Sequence, residues 1–543
     1  MNAENRFFKR QGIHWWPGGL IVLAASVLLF FRLGQYALWD DEAATALHAL
    51  GVWRTGDTTA ILDHNIVATY RGVNLRDLHE RLEPPLQSYV AAPFVGLLGA
   101  TAFAARLPFA LVGLIGIVLL LYWGRQRYQE GWQFALLGLA ILGNVSLFLY
   151  FRQSRYYALA ITLTLLLAYV YTHWNGRRNV LLWFSLVSAG LYLANYLNFI
   201  AFYVTVFVDY LFWGRHRKKL GVADWLTVIV PQSVVILICA SIWNPLGMDA
   251  RHALPFSNLA ERFILLFWNL RDLVLCEFGV GVLLLAAPFV GWWRGNQLLL
   301  RGCAAGWVYI LIITAISPQP VSMTSVADVR YLVPLIPLFI FLGVETLVAL
   351  LPTRPVVAVP LGVLAFGTNL LGGALLTGQG VESTWLKYAG ELADPPSDPY
   401  TVTARWIRDN IRPKESVWVL PDYMTYPMMY HAPDPLYAWQ LDWPPREQFK
   451  DFAPIYFQGR VPPDYIIAFG PVVQSLLPML QRWAGNGVRY EFVASIEQFW
   501  KDVYRPELIW RSFTGIESFD GNVEAIYIFR RVEPPRKSPS SED

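Results

Sequence analysis

Long apolar runs separated by short polar segments make up most of the first 380 residues. A helix that crosses a membrane needs about 20 predominantly apolar residues, and most of these runs reach or approach that length. The pattern therefore predicts a polytopic α-helical membrane protein with about eleven transmembrane helices in a module of residues 1–380. The predicted spans are 15–31, 104–123, 132–151, 157–174, 180–194, 199–213, 225–243, 276–293, 302–316, 331–351 and 356–377.

The apolar run 86–99 is too short to span comfortably, so we interpret it as a helix lying on the outer membrane surface. The positions of the basic residues support this interpretation, because Lys and Arg concentrate in cytoplasmic loops. Counting 86–99 as a span would place most of the basic clusters outside. With 86–99 at the surface, the following residues all fall on the cytoplasmic side: Arg125, Arg127, Arg177, Arg178, Arg215, Arg217, Lys218, Lys219, Arg294, Arg301 and Arg354.

The first apolar run follows Arg6, Lys9 and Arg10, which would lie in the cytoplasm. It is longer than the apolar region of a signal peptide and no A-x-A cleavage site follows it, so we expect an uncleaved first transmembrane helix. This topology places an outer loop at 35–99 and the C-terminal region on the extracytoplasmic face. The predicted location is the bacterial cytoplasmic (inner) membrane.

Beyond residue 380 the composition becomes more polar and no run is long enough to span. Helical patterns at 401–411 and 475–483 alternate with strand-like runs at 416–420, 465–469, 491–496 and 525–529. The sequence thus predicts a small outer α/β domain over 381–532, followed by a disordered tail at 533–543. Asp394, Asp398 and Asp422 are interpreted as loop and turn residues.

The overall composition agrees with a membrane protein and excludes several other classes. Hydrophobic residues make up 55% of the chain and charged residues only 15%, whereas soluble domains carry about 25% charged residues. The net charge of +3 is too small to indicate a nucleic-acid partner. The three cysteines lie in or beside apolar runs and form no CxxC motif, so neither a disulfide framework nor a cysteine metal site is predicted.

The stretch Trp39-Asp40-Asp41-Glu42 directly follows the first predicted span. A carboxylate at this membrane surface can act as a general base toward an incoming hydroxyl or amine. Because Ala43 and the residues after it favour a helix, the acids would also lie at a helix N-terminus, where negative charge is stabilising. Simple helix capping is therefore the alternative, although capping does not require three acids or so long a loop.

Two arginine-containing segments are candidates for binding a phosphate on the same side of the membrane. Arg152 and Arg155 are spaced to share one helix face, and guanidinium groups can bind a phosphate bidentately. Arg330 precedes a predicted helix start, where a cation is unfavourable without a nearby anion. Their alternatives are snorkelling to lipid headgroups for the first pair and a salt bridge to Asp328 for Arg330.

Glu83 precedes two prolines that end the outer loop rigidly, and its side chain could face either a cavity or water. His252 lies in the predicted outer segment 244–263 and is a candidate metal ligand, although a single histidine is more often structural.

The order of these motifs resembles the C-type (GT-C) membrane glycosyltransferases, in the bacterial branch related to protein O-mannosyltransferases and the lipid A aminoarabinose transferase. The resemblance covers about residues 15–350. The residues that match are Trp39, Asp41, Glu42, Pro84, Pro85, Leu86, Arg106, Leu107, Pro108, Arg155, Tyr157, Arg330, Tyr331, Pro334 and Pro337.

The resemblance implies a polyprenyl-phosphate sugar donor, an active site on the outer face and inversion at the anomeric carbon. It implies Asp41 as the catalytic base with Glu42 in support. The residues that would bind the donor phosphate are Arg155, Arg330, Tyr157 and Tyr331, and the pocket would include Asp40, Glu83, Arg152 and His252. No cofactor is implied with certainty, and a divalent metal stays open.

This chain departs from the family pattern at two positions. Gln153 stands where many relatives have an acid, and Glu83 stands where many have His or Lys before the two prolines. A second catalytic acid, a bound metal and the identity of the substrate therefore cannot be transferred from the family. The W-W-D-x-G motif of oligosaccharyltransferases is absent, which argues against glycosylation of asparagine.

Together these features predict a glycosyltransferase of the EC 2.4 class. It would move a sugar from a polyprenyl-phosphate carrier to a lipid, glycan or protein acceptor, with Asp41 as the base. The alternative is a flippase or other transporter of lipid-linked sugars, without catalysis. A transporter would favour ionisable residues near the midplane and internal repeats, but most predicted spans lack charge and no repeat is evident.

Overall fold

The computed structural model describes residues 16–214, 220–243, 259–273, 281–317, 329–375, 380–395, 397–470, 472–499 and 523–532. His252, Asp328 and the predicted disordered tail at 533–543 lie outside the described residues. The described residues up to 370 are built mainly of helices. In chain order they are α1 Trp16–Phe30, α2 Asp40–Thr55, α3 Leu86–Leu98, α4 Ala102–Arg127, α5 Gly131–Gly143, α6 Val145–Phe151, α7 Tyr157–His173, α8 Arg178–Ala194, α9 Tyr196–Asp209, α10 Val222–Ile242, α11 Leu259–Asp272, α12 Gly281–Trp293, α13 Gln297–Ile316, α14 Ile336–Leu350 and α15 Pro355–Gly367.

Five helical segments are each long and apolar enough to cross a membrane: Ala102–Arg127, Tyr196–Gly214, Val222–Ile242, Gln297–Ile316 and Val333–Leu350. The pair α5 and α6, bent by 57° at its break, makes a sixth if it is counted as one span. Shorter apolar helices include α1, α3, α7, α8, α12 and α15. The described chain is therefore a multi-pass membrane protein by the length and composition of its helices.

Helix α4 shows why these segments fold as they do. Thr101 caps its N-terminus by accepting a hydrogen bond from the backbone N–H of Ala104 at 3.2 Å, and the apolar residues cover all faces of the helix, as expected for a buried or membrane helix. Arg125 and Arg127 lie in its last turn, where cations complement the helix dipole. Helix α11 was not among the predicted spans.

Two short hairpins fill the outer loop between α2 and α3. The first pairs β1 Ile61–Leu62 with β2 Asn65–Ile66, and the second pairs β3 Leu75–Arg76 with β4 His79–Glu80. They pack through a small core with residues from the C-terminal region, including Leu441, Phe449 and Phe457. The loop is therefore a compact structure and not an open polar connection.

The C-terminal region contains a five-stranded sheet. Its elements are helices α16 Thr384–Ala393, α17 Pro399–Asn410, α18 Thr425–His431 and α19 Val472–Gly485, and strands β5 Ser416–Leu420, β6 Leu436–Tyr437, β7 Tyr465–Phe469, β8 Arg489–Phe499 and β9 Val523–Val532. The strand order is β6-β5-β7-β9-β8. Strands β6, β5 and β7 are parallel to one another, and β9 is antiparallel to both of its neighbours, β7 and β8. The buried cores of this region and of the helical module are continuous, which joins α18 to α2.

Candidate active site

The acidic stretch forms the first turn of α2, which begins at Asp40. The backbone N–H groups exposed at a helix start stabilise carboxylates, and Asp40 Oδ1 accepts from the N–H of Asp41 at 2.8 Å. Helix capping is therefore present. Glu42 belongs to it as well, because its Oε2 accepts from the N–H of Trp39 at 3.5 Å, but capping does not account for the ion pairs that Asp41 and Glu42 form with arginines.

Glu42 is completely buried and forms a bidentate ion pair with Arg106. Its Oε1 accepts from Arg106 Nε at 2.9 Å and its Oε2 from Arg106 Nη2 at 2.6 Å. The backbone N–H of Ser154 adds a third donor at 2.7 Å. The remaining guanidinium N–H groups bind the carbonyls of Leu33, Tyr36 and Ala37. Glu42 therefore ties α2 to α4 and to the end of the first helical segment.

Asp41 points the other way and binds two arginines from distant parts of the chain. Its Oδ2 lies 2.7 Å from Arg330 Nη1 and 3.3 Å from Arg155 Nη2. Its side chain is 27% exposed, so solvent or a ligand can reach it. The structure thus brings together Asp41, Arg155 and Arg330, three residues that the sequence predicts for one site.

Glu83 completes this cluster on the other side of Arg155. Arg155 Nη1 donates to Glu83 Oε2 at 3.0 Å and to Thr45 Oγ1 at 3.2 Å. Gln87 Nε2 donates to the same Glu83 oxygen at 2.9 Å. Burial alone would lower the pKa of Arg155, but the carboxylates of Asp41 and Glu83 raise it well above its ordinary value. Two carboxylates and two guanidinium groups therefore share one partly exposed pocket.

Glu80 and His48 lie buried behind this pocket and were not predicted as site residues. Glu80 accepts from the backbone N–H groups of Leu82 and Glu83 at 2.9 and 3.1 Å and from Thr69 Oγ1 at 3.1 Å. Burial, and then the nearby carboxylate of Glu83, raise the pKa of Glu80 to about 7. Burial lowers the pKa of His48 to about 4, so this histidine is neutral near pH 7.

The C-terminal region holds the backbone just before the acidic stretch. The N–H of Ala37 donates to Asp398 Oδ2 at 2.8 Å, and the N–H of Leu38 donates to His431 Nε2 at 2.9 Å. An accepting Nε2 requires a neutral imidazole with its proton on Nδ1. Burial, together with nearby Arg106 and Arg408, lowers the pKa of His431 to about 3, which agrees with that state.

The structure does not bring Arg152 to the same partners as Arg155. Residues 152–156 lie between α6 and α7, so the shared helix face expected from their spacing is not formed. Arg152 instead donates to the carbonyls of Leu28, Leu29 and Phe31, at 2.7, 3.2 and 2.9 Å. It thereby satisfies the open C-terminal end of α1.

The two tyrosines predicted for the site, Tyr331 and Tyr157, lie in different positions relative to the arginines. Tyr331 follows Arg330 directly, and the guanidinium carbon lies 5.7 Å from its ring centroid. Tyr157 is buried in an aromatic group, with its ring centroid 5.0 Å from that of Tyr150 and 4.7 Å from that of Tyr156. Tyr331 therefore adjoins the cluster, whereas Tyr157 packs behind it.

In the described part of the chain, no group of three or more His, Cys, Asp or Glu side chains is placed to hold a metal ion. Gln153, at the position where relatives have an acid, is buried.

Comparisons with known proteins give matches among solved structures. No family model and no curated protein matches the chain. The apo crystal structure of ArnT from Cupriavidus metallidurans has a TM-score of 0.52 and 18% identity, over 86% of this chain and 95% of that one. The same protein bound to undecaprenyl phosphate has a TM-score of 0.53 and 14% identity, over 95% and 98% of the two chains.

The oligosaccharyltransferase of Archaeoglobus fulgidus, crystallised with zinc and sulfate, has a TM-score of 0.51 and 10% identity, over 84% of this chain and 69% of that one. Over most of its length this chain therefore has the fold of ArnT and of this oligosaccharyltransferase.

Proposed function

We propose that this protein transfers a sugar from a polyprenyl-phosphate carrier to a lipid, glycan or protein acceptor, with Asp41 as the general base. The observation that carries the proposal is the contact of one partly exposed carboxylate with two arginines from separate segments. A base must reach the acceptor and a cation must face the leaving group, and this cluster provides both in one pocket.

Arg155 and Arg330 are suited to the donor phosphate. Guanidinium groups form strong charge-assisted hydrogen bonds with phosphate oxygens, and both groups are largely screened from water. Among the described residues, the buried Nε–H of Arg155 has no hydrogen-bond partner. The structural neighbour crystallised with undecaprenyl phosphate supports a donor of this class.

The proposed reaction is a single displacement. The acceptor hydroxyl or amine gives its proton to the Asp41 carboxylate while its oxygen or nitrogen attacks the anomeric carbon. The bond from that carbon to the phosphate oxygen breaks, and its electron pair leaves with the polyprenyl phosphate. Arg155 and Arg330 stabilise the negative charge that develops on the phosphate. Donor phosphate and Asp41 are alternative anions for these arginines, so donor binding would release Asp41 to act as a base.

The finer topology belongs to the same proposal. About eleven spans, with 86–99 at the membrane surface, would place the acidic cluster and the C-terminal region on the extracytoplasmic face of the inner membrane. We take residues 1–380 as the transferase module and 381–532 as the outer domain. A polyprenyl-linked donor is suited to that face because its lipid carrier anchors it in the membrane.

A transporter has less support. Acids near the cytoplasmic ends of the spans are tied to arginines: Asp209 binds Arg301, with Nε–Oδ1 at 2.5 Å, and Glu345 binds Arg127, with Nη2–Oε1 at 2.5 Å. Each pair joins two different helices, so helix contacts account for these charges.

The decisive test measures release of polyprenyl phosphate by the purified protein from a panel of undecaprenyl-phosphate sugars, with an extract of envelope lipids and glycans as acceptor. Asp41→Asn is expected to reduce release by about 10³-fold, the scale of a lost general base. Asp40→Asn is the matched control, since it removes a neighbouring negative charge while the amide oxygen of Asn can still accept from the N–H of Asp41.

Release at the wild-type rate by folded Asp41→Asn would overturn the assignment of the base. Binding of a donor without release, under the same conditions, would favour the lipid-linked sugar transporter.

A further inference from the structure

The loop between the two outer hairpins holds Tyr70 and Arg71 in an unusual backbone conformation. Their φ angles are 48° and 57°, in the left-handed region that side chains other than glycine rarely adopt. Two such residues in succession persist only where the surrounding structure imposes them, and such strain concentrates at functional sites. Tyr70 therefore has a position that the fold maintains against the preference of its own backbone.

The C-terminal region imposes this conformation. Arg71 Nη1 lies 3.1 Å from Asp442 Oδ1 and its Nε lies 3.7 Å from Asp422 Oδ2. Arg446 Nη1 donates to the carbonyl of Gly72 at 3.1 Å. A Cβ atom on Gly72 would approach side-chain atoms of Leu441 and Phe449 to 3.0 Å, so the loop is pressed closely against this region.

Although its backbone is held firmly, the Tyr70 side chain is 70% exposed. Among the described residues, its hydroxyl makes no hydrogen bond and its ring makes no aromatic contact. The adjacent Thr69 places Tyr70 beside the charged cluster, because Thr69 Oγ1 donates to Glu80 at 3.1 Å and Glu80 also accepts from the N–H of Glu83 at 3.1 Å. Partial burial, then the carboxylates of Asp41 and Glu83, raise the pKa of Tyr70 above the ordinary value. An aromatic side chain without a protein partner is thus held at the edge of the four-residue charged cluster.

We propose that Tyr70 contacts the donor sugar and helps to select it. The inference rests on the proposed function. Through Thr69 and Glu80, Tyr70 adjoins the cluster in which Arg155 and Arg330 would hold the phosphate and Asp41 would receive the acceptor proton. In the proposed reaction the sugar lies between the donor phosphate and the acceptor atom that loses its proton. A tyrosine offers an apolar ring face for the C–H side of a sugar and a hydroxyl for its polar edge.

The test compares equilibrium binding of undecaprenyl phosphate with that of undecaprenyl phosphate mannose, glucose and 4-aminoarabinose, using purified protein in lipid nanodiscs. The contribution of the sugar to binding is the dissociation constant of undecaprenyl phosphate divided by that of the sugar-bearing lipid that binds most tightly. We expect Tyr70→Ala to weaken the sugar-bearing lipid about tenfold and Tyr70→Phe about threefold, with undecaprenyl phosphate unchanged within about twofold. Tyr122→Ala is the control, because it removes another exposed tyrosine from the membrane module.

Three results would overturn the inference: wild type showing no sugar contribution, Tyr70→Ala keeping the full contribution, or Tyr70→Ala weakening both lipids equally. Because binding is measured without turnover, this result is separate from the Asp41→Asn assay. Release at the wild-type rate by Asp41→Asn would reject Asp41 as the base, and no release by wild type from any donor would reject the proposed transfer, whereas unchanged sugar binding by Tyr70→Ala would reject only the role of Tyr70.

Discussion

Asp41 and Glu42 are neighbours in the first turn of one helix, yet they bind in opposite ways. Glu42 is fully buried, and both of its oxygens are occupied by Arg106. Arg106 in turn directs all of its N–H groups to Glu42 and to three backbone carbonyls. Asp41 is partly exposed, and one oxygen is shared by two arginines that come from different segments.

The difference shows which acid is available for chemistry. A buried ion pair with every donor satisfied cannot change partners without leaving a charge unpaired, at a cost of several kcal/mol. A partly exposed carboxylate can exchange an arginine for a proton at much lower cost, because water and a bound anion can compensate the charge. Glu42 fixes the geometry, and Asp41 is the acid that we propose takes part in the reaction.

The largest effect expected within this comparison is on stability. Glu42→Gln leaves Arg106 as a buried cation without its anion, and such a change costs about 3–5 kcal/mol. We expect a large drop in the thermal midpoint in detergent, with much less folded protein. Asp41→Asn should lower the thermal midpoint much less, because Asp41 is itself 27% exposed and Arg155 keeps Glu83 as a counter-ion.

The comparison would be reversed if Glu42→Gln kept a wild-type thermal midpoint and lost sugar transfer. In that case Glu42 would take part in the reaction and the ion pair with Arg106 would not be essential to the fold. Glu42→Gln combined with Arg106→Met is the matched control, since removing both charges is expected to recover part of the stability.

The next largest effect concerns the arginines on the open side. Arg155→Gln and Arg330→Gln should each lower the rate of polyprenyl phosphate release by about 10²-fold, the scale of a lost electrostatic contact with a developing charge. Arg152→Gln is the control three residues away. Because Arg152 binds the carbonyls at the end of α1, its loss should lower stability and leave donor affinity unchanged.

Loss of donor affinity in Arg152→Gln alone, with Arg155→Gln and Arg330→Gln active, would contradict the proposal. The donor phosphate would then bind near Arg152 and not at Arg155 and Arg330. Steady-state rates at several donor concentrations, with the thermal midpoint of each variant, separate these outcomes.

Much of the architecture follows from local patterns in the sequence. The strand-like runs at 416–420 and 465–469 coincide with β5 and β7, and those at 491–496 and 525–529 fall within β8 and β9. Alternating and β-branched residues are a local signal, so each strand could be predicted without knowing its neighbours. The predicted helix start at the acidic stretch is also confirmed, because acids in the first turn are a local signal too.

The partners of the charged residues could not be predicted in this way. Nothing in the spacing of Arg152 and Arg155 indicates that one turns to α1 and the other to α2, because the break in the helix depends on packing. The sequence suggests Asp328 or a bound anion as the partner of Arg330. In the structure Arg330 donates to Asp41, 289 positions away in the chain. Tyr70, Glu80 and His431 carry no local motif, since their environment is made by contacts between the outer loop and the C-terminal region.

A smaller effect tests whether the C-terminal region positions Asp41. His431→Leu removes the acceptor for the buried N–H of Leu38, and an unsatisfied buried donor costs about 1–3 kcal/mol. We expect a lower thermal midpoint together with slower sugar transfer. His431→Gln should restore both, because its amide oxygen can accept the same hydrogen bond. Slow transfer in both variants at a normal thermal midpoint would instead mean that the imidazole itself takes part in the reaction.

The smallest expected effect is a pH dependence that comes from Glu80. Its folded pKa is raised from 4.5 to about 7, so the folded state keeps its proton at a pH where the unfolded chain has lost it. The contribution of this group to stability is therefore complete below about pH 4.5 and decreases as the pH rises through about 7. Around it lie Thr69, the backbone N–H groups of residues 82 and 83, the Glu83 carboxylate and neutral His48.

Glu80→Gln retains an oxygen acceptor for those backbone N–H groups and cannot ionise. The thermal midpoint of Glu80→Gln relative to wild type should therefore increase from pH 5 to pH 8. The same difference at every pH would show that Glu80 does not titrate in this range.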